Sequence, residues 1–365
     1  MRQESRERVL APVIRRRAPG AVDALPASLN PVLRRVYAAR GVSHPDELAL
    51  DLRHLLPVST LDGIGQATGL LADHLERGSR ILVVGDFDAD GATSTALVLR
   101  QLRRLGHDNV VFRVPDRMRH GYGLTPALVA DLAGEPADLL ITVDNGVSAL
   151  AGVESAKALG MQVLVTDHHL PGPNLPACAA MVNPNLAGAG FGSRALAGVG
   201  VAFYLMASLT RELESRRGCK LPAVADLLDL VALGTVADLV PLDRNNRILV
   251  QEGLKRVRAR LAAPGLIALA QVAGCRLEEL SARHLGHQIA PRLNAAGRID
   301  DMSVGIRCLL TDDWAEALTY ARELDRLNRE RREMEVRMRD EASIAVRRLH
   351  LQEGSLPAGV ALYDR

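Results

Sequence analysis

The 365-residue sequence predicts an α/β protein in which a parallel β-sheet flanked by helices is followed by a mainly helical region and a long connector helix. Three observations predict it. From Arg80 onward, short apolar runs alternate with amphipathic stretches, the pattern of βαβ units. From about Leu196 to Leu310 the chain reads as mostly helical, with an apolar, alanine-rich stretch over 221–242. Beyond Asp313, apolar residues recur at near-heptad spacing amid alternating charges.

Residues 1–60 mix arginines, prolines and short apolar pieces, with a helix-like segment around Leu33 to Ala38, and are expected to form an N-terminal cap without chemistry of its own. The first unit then reads as ILVVG (81–85), a helix over 93–106 and VVFRV (110–114). The second reads as LLITV (139–143), a helix near Ala149 to Leu159 and VLVT (163–166). Gly106 and Gly160 fall where helix C-caps belong. The stretch 221–242 is long enough to be buried, and Asp313 with Glu316 three residues on resembles a capping box that opens the long helix. Leu324, Leu327, Met334, Met338, Ala345 and Leu349 mark its apolar stripe. The expected division is a catalytic domain over 61–310, the connector helix over 311–352, and a second domain beginning at 353 and cut short, with GVALYDR (359–365) as its first strand.

Composition narrows the function. A chain 48% apolar and 24% charged buries a substantial core, which excludes a disordered protein. Lysine plus arginine (45) nearly balance aspartate plus glutamate (43), so any site for a polyanion must be local. Aromatic residues make up 3%, leaving few platforms for base stacking. Cys178, Cys219, Cys275 and Cys308 lack C-x-x-C spacing and read as reduced packing residues. With neither a signal-like apolar segment nor a run near eighteen apolar residues, the expectation is a cytoplasmic protein with no membrane partner.

Three polar clusters follow predicted strands: Asp86, Asp88 and Asp90 in GDFDADG, Asp144 in TVDNG, and His168 with His169 in TDHH. The first cluster also fits a solvated turn, an EF-hand opening or a phosphatase turn; the EF-hand fails at its twelfth position, Leu97. In a parallel sheet the carboxyl ends of the strands share one edge, where ligands bind, so the three clusters should converge. Asp238 lies in the apolar GTVAD segment and needs a partner, either an arginine such as Arg244 or Arg247 or a metal. Hard oxygen ligands plus imidazole suit Mn²⁺ or Mg²⁺ better than structural zinc. Two such ions about 3.5–4 Å apart would clamp the oxygens of an in-line phosphoryl displacement, with Asp144 as the bridge. His169 would touch the phosphate or protonate the leaving oxygen, or else support His168.

In order, GDFDADG, VDNG, TDHH and ALGTVADLVPL resemble the motifs of the DHH phosphoesterase superfamily. Together with VPDRMRHGYGL (114–124), LAGVGVAFYL (196–205) and APRLNAAGRIDDMSVG (290–305), they are most similar to the RecJ single-stranded-DNA exonuclease family, over roughly residues 30–350. The resemblance implies a two-metal exonuclease that digests single-stranded DNA from the 5′ end to mononucleotides in repair and recombination. It implies metal positions at Asp86, Asp88, Asp90, Asp144, His168 and Asp238, with Asp90, Asp144 and His169 in the chemistry. Arg292, Asn294 and Arg298 match a motif that meets the DNA backbone or supports the metal site, and Arg117 is a further phosphate contact; for Arg292 a purely structural role is the competing reading. Single-stranded DNA is the implied partner, with a single-strand-binding protein and a helicase as further candidates. Two alternatives remain at this point: a phosphodiesterase for short oligonucleotides or cyclic dinucleotides, and a catalytically weak DNA-binding fragment.

Overall fold

A computed structural model describes residues 20–135 and 137–353, together with Arg15, Ala18, Gly359 and Ala361. The chain divides into two compact units, Met1–His54 and Leu55–Arg365. In the first, helix α1 (Pro31–Ala39) starts where Asn30 accepts the Val32 N–H and Pro31 presets the first turn. Leu25, Ala38 and Val42 form its small core.

The second unit runs α2 (Ile64–Glu76), β1 (Ile81–Val84), α3 (Ala89–Arg104), β2 (Val110–Arg113), α4 (Pro126–Asp131), β3 (Leu139–Val143), α5 (Leu150–Ala158), β4 (Gln162–Thr166) and β5 (Ala180–Val182). All neighbouring strands pair in parallel, in the order β2-β1-β3-β4-β5. The strands carry continuous apolar runs because both faces of the sheet are covered. Their side chains alternate between two cores. Ile81, Val83, Leu139, Ile141 and Leu164 enter the larger core with α3, while Leu82, Val84, Leu140, Val163 and Val165 enter the one beneath α4 and α5. Gly106 and Gly160 have φ of +88° and +82° just past α3 and α5, as the C-cap reading requires.

Helices follow: α6 (Gly198–Arg217), α7 (Leu228–Ala237), α8 (Arg244–Arg258), α9 (Pro264–Val272), α10 (Ala282–His284), α11 (Ala290–Ile299), α12 (Ser303–Leu310) and α13 (Trp314–Glu353). A five-residue π-turn, Leu285–Ile289, leads into α11. Asp313 accepts the Glu316 N–H at the start of α13, but the Glu316 carboxylate receives the Thr311 hydroxyl rather than closing the box.

Three expectations need adjustment. The 221–242 stretch is not buried throughout: a 3-10 turn (Val224–Leu227) precedes α7, and Leu239, at φ +62°, is 83% exposed. Along α13, Ala317, Ala321, Leu324 and Leu327 are buried whereas Met334 and Met338 are exposed, so only the first half of the stripe is core. Cys219 is exposed, and so is not a packing residue. The strand expected over 359–365 lies outside the described residues, Gly359 and Ala361 apart. Among the described residues no helix is long and apolar enough to cross a membrane.

Candidate metal centre

The strand order reverses between β1 and β3, and the crevice at such a switch point, beyond the carboxyl ends of the strands, is where open α/β sheets bind ligands. Asp86 follows β1, Asp144 follows β3, and Asp167, His168 and His169 follow β4. Asp88 is the N-cap of α3, accepting the Gly91 N–H at 2.9 Å, and Asp90 lies in its first turn. Asp238 ends α7. Thus every metal position expected from sequence arrives at one edge.

The ligand atoms form three overlapping groups, each within 4.8 Å: Asp86, Asp88 and Asp144; Asp144, His168 and His169; and Asp90, His168 and Asp238. His168 Nε2 lies 3.1 Å from Asp144 Oδ1, 3.5 Å from Asp238 Oδ2 and 3.9 Å from Asp90 Oδ2. Asp144 and His168 each belong to two groups. Although 3.1 Å apart, Asp144 Oδ1 and His168 Nε2 are both buried without a hydrogen bond. Asp144 further adopts φ +63°, an uncommon conformation for a residue with a β-carbon.

Electrostatics make the cluster costly as it stands. Burial and neighbouring Asp88 push the Asp86 carboxyl up to about 7, and the same two causes push Asp238 up to about 6. Asp90 and Asp144 are raised well above the ordinary carboxylate range, first by burial and then by Asp238 and by Asp90 respectively. Burial, then His169, lowers His168 to about 4, leaving a neutral imidazole suited to ligation. A divalent cation would relieve both the repulsion and the missing partners, so the donor set fits hard metal ions.

The sheet and helices hold these groups from behind. The Gly198 and Val199 N–H groups, at the first turn of α6, donate to Asp90 at 2.6 and 3.0 Å. Side chains are excluded there: a β-carbon on Gly198 would sit 2.6 Å from Asp144, and one on Gly234 would sit 2.2 Å from the Thr93 hydroxyl.

Sequence reasoning missed Asp167. Its buried carboxylate accepts N–H groups from Val147 (2.8 Å), His168 (2.7 Å) and His169 (3.1 Å), and meets His169 Nδ1 at 2.8 Å. Despite the opposing cost of burial, these bonds hold Asp167 below its ordinary value. The same hydrogen bond raises His169, whose side chain stays 45% exposed. The signal for it is the carboxylate directly preceding the histidine pair in TDHH. Tyr122, from the GYG loop, places its hydroxyl 3.3 Å from both His169 ring nitrogens and its ring edge-on to Phe87 and His169.

The expected phosphate contacts separate. The Arg117 guanidinium covers the Phe87 ring at 4.3 Å, beside the acidic turn. Asn294 accepts the Ala89 N–H at 2.8 Å, bracing that turn from α11. Arg117, Asn294 and Arg298 line one groove of about 610 Å³, and Arg117 and Arg298 also border a second cleft of about 790 Å³ along β2. Arg292 instead pairs with Asp325 at 2.8 Å and donates to the Gln288 carbonyl, joining α11 to α13 and the π-turn.

Residues 80–235 match the model of the DHH family, N-terminal domain. The single-stranded-DNA-specific exonuclease RecJ of Escherichia coli is 50% identical over 355 residues, 96% of this chain and 62% of the relative. That of Thermus thermophilus is 38% identical over 85% of this chain and 44% of the relative. The crystal structure of T. thermophilus RecJ in complex with Mn²⁺ superposes with a TM-score of 0.72 at 36% identity, covering 85% of this chain and 43% of that one. A manganese-bound exonuclease RecJ structure does so with a TM-score of 0.68 at 39% identity, over 78% and 69%. The chain therefore spans about three-fifths of the E. coli relative's length, and with its acidic sheet edge and helical second half it belongs to the RecJ family.

Proposed function

We propose that this chain is a metal-dependent exonuclease that degrades single-stranded DNA from the 5′ end to mononucleotides, in repair and recombination within the cytoplasm. One observation carries the reading: six side chains from four segments meet around two buried atoms, Asp144 Oδ1 and His168 Nε2, that lie 3.1 Å apart and make no hydrogen bond. Asp86, Asp88 and Asp144 would hold one Mn²⁺ or Mg²⁺ ion, and Asp90, His168 and Asp238 the second, with Asp144 shared. When bound, such ions supply Lewis-acid stabilisation of the phosphoryl oxygens and a nucleophile of lowered pKa.

The protein's own groups do the rest. Asp167 accepts the Nδ1–H of His169, fixing the ring so that Nε2 is offered to the scissile phosphate or the leaving oxygen. The neutral state of His168 keeps its ring available as a ligand. Arg117 and Arg298 present planar guanidinium groups to strand phosphates. Asn294 acts indirectly, through the first turn of α3. Arg292 serves the α11–α13 junction. The relatives' names support single-stranded DNA as the substrate, and a single-strand-binding protein and a helicase are proposed partners. In domain terms, residues 61–310 with the first half of α13 make up the catalytic body.

A strand labelled separately at each end, incubated with Mn²⁺ or with chelator, tests the proposal. Release of 5′-labelled mononucleotide first, and only with metal, is expected. Preference for a dinucleotide over a long strand would overturn it in favour of a short-oligonucleotide phosphodiesterase.

A further inference from the structure

The last strand of the sheet supplies no ligand to the metal centre, yet the segment leaving it grips the histidine pair. β5 has three residues and ends the strand order, paired with β4 so that Val182 stands beside Thr166. Asn183, Pro184 and Asn185 follow it, the first two of them buried. Asn183 is 0% exposed, and both ends of its amide are engaged: Oδ1 accepts the Asn185 N–H at 2.8 Å, and Nδ2 donates to the His169 carbonyl at 2.9 Å. Asn185 Nδ2 donates to the His168 carbonyl at 2.5 Å. From the other side, the Asp167 N–H donates to the Val182 carbonyl at 3.1 Å, and Asp167 Oδ1 accepts the N–H groups of His168 and His169. Three N–H groups and two carbonyls of this short turn are therefore held by the protein, where water could have satisfied them.

We infer that Asn183 and Asn185 are positioning residues, which aim the His168 and His169 rings by fixing the peptide planes beside them. The inference rests on the exonuclease reading and adds to it the element that sets the two imidazoles. A peptide unit is planar, so a bond to its N–H or its carbonyl orients the whole plane, and with it one backbone dihedral of each flanking residue. The plane between His168 and His169 is held at its carbonyl by Asn185 and at its N–H by Asp167, and it sets ψ of His168 and φ of His169. The plane after His169 is held by Asn183 and sets ψ of His169 alone. Asn185 thus serves the metal position and its neighbour, whereas Asn183 serves only His169. The Asx turn and the fixed φ of Pro184 join the two amides into one rigid unit. Metal–ligand distances tolerate about 0.2 Å, so a rotated plane at His168 is felt as lost affinity.

Asn185→Ser and Asn183→Ser remove the amide donors, while a hydroxyl at 183 still accepts the Asn185 N–H. Calorimetric titration of the 365-residue chain with Mn²⁺, together with kcat and KM on an oligodeoxythymidylate, reads the outcome. Asn185→Ser should weaken Mn²⁺ binding about 10–100-fold and lower kcat at saturating Mn²⁺. Asn183→Ser should lower kcat about tenfold with KM and Mn²⁺ affinity unchanged. Gln66→Ala is the control: Gln66 donates from α2 to the Ala179 carbonyl at 2.8 Å, at the entrance to β5 and outside the turn, and its loss should move none of these quantities. Unaltered Mn²⁺ affinity in Asn185→Ser would overturn the inference. So would an equal loss of affinity in both asparagine variants, which is what general loosening of the edge strand produces. Should Asn183→Ser fail to fold, Asn183→Asp keeps the Oδ1 acceptor and loses only the donor; lowered kcat with Mn²⁺ binding no weaker is then expected, and unchanged kcat would remove Asn183 from the role. An unaltered protein that takes up Mn²⁺ but releases no nucleotide would overturn the exonuclease reading, and the Mn²⁺ affinities of the variants would still decide the part played by Asn185.

Discussion

The two ends of α7 each carry a buried or part-buried aspartate, and only one of them is at rest. Asp229, in the first turn, is 1% exposed, accepts the Ala263 N–H at 2.8 Å and sits at the end of the helix whose dipole favours negative charge. Burial raises its pKa, but the nearby Arg256 and Arg100 pull the other way. Asp238 caps the opposite end, where the dipole repels a carboxylate, and it faces Asp90 and His168. A buried acid with a backbone donor and arginines nearby is part of the scaffold. One placed against a helix C-terminus and other acids is stabilised only when a cation joins it.

The sharpest way to break this comparison is to neutralise each end. Asp238→Asn should reduce Mn²⁺-dependent nucleotide release on the order of a thousandfold, yet raise the melting temperature in chelator at pH 8, because a repelled charge is gone. Asp229→Ala should do the reverse, leaving Mn²⁺ uptake by calorimetry intact while costing about 1–3 kcal/mol in urea unfolding as the Ala263 N–H loses its acceptor. If both variants lost stability equally in chelator, the two ends would not differ as described.

Acidity sharpens the contrast further. Asp86 and Asp238 titrate at about 7 and about 6 in the folded protein, above their unfolded values, so the metal-free fold binds extra protons. Their contribution is fully present below the unfolded carboxylate range and is lost as pH rises toward 7. His168, lowered to about 4, acts in the opposite sense between about 4 and its ordinary value near 6.5. Above that value only the carboxylates and His169 act, so thermal melting in chelator should fall from pH 6.5 to pH 8. Saturating Mn²⁺, which needs the ionised acids, should erase or invert that slope. A melting temperature in chelator that rises with pH over this interval would contradict the crowded-acid picture.

Smaller effects follow at the periphery of the centre. Asp167→Asn should lower kcat about 10–100-fold, as loss of a group that orients a catalytic ring does, with Mn²⁺ affinity changing less; an unaltered kcat would remove Asp167 from the machinery. On the solvated flank of α13, Arg326→Ala breaks exposed pairs with Glu323 and Glu330 and should leave the urea unfolding midpoint unchanged.

Much of this was legible in the sequence because the informative signals were local. Four strands announced themselves as apolar runs, and the acids directly following three of them shared an edge for topological reasons alone. What sequence could not supply depended on contacts across the fold. The α6 N–H donors to Asp90 come from a segment 108 residues away, and nothing in LAGVG announces which acid it serves. Arg292, Asn294 and Arg298 sit within seven positions on one helix, yet one turns to Asp325, one to the Ala89 N–H and one to the groove. Helical phase and the approach of α13 decide among these roles, and a motif carries neither. The break before α7 and the exposure of Leu239 were hidden because continuous apolarity does not distinguish one buried helix from a shorter helix followed by a left-handed residue.

The central claim is that Asp86, Asp88, Asp90, Asp144, His168 and Asp238 share a pair of divalent ions. Anomalous diffraction at the manganese edge, from crystals grown with Mn²⁺, tests it most directly. The account predicts two peaks about 3.5–4 Å apart, with Asp144 touching both and His168 touching one. Peaks elsewhere on the molecule, or an empty sheet edge at saturating Mn²⁺, would contradict it.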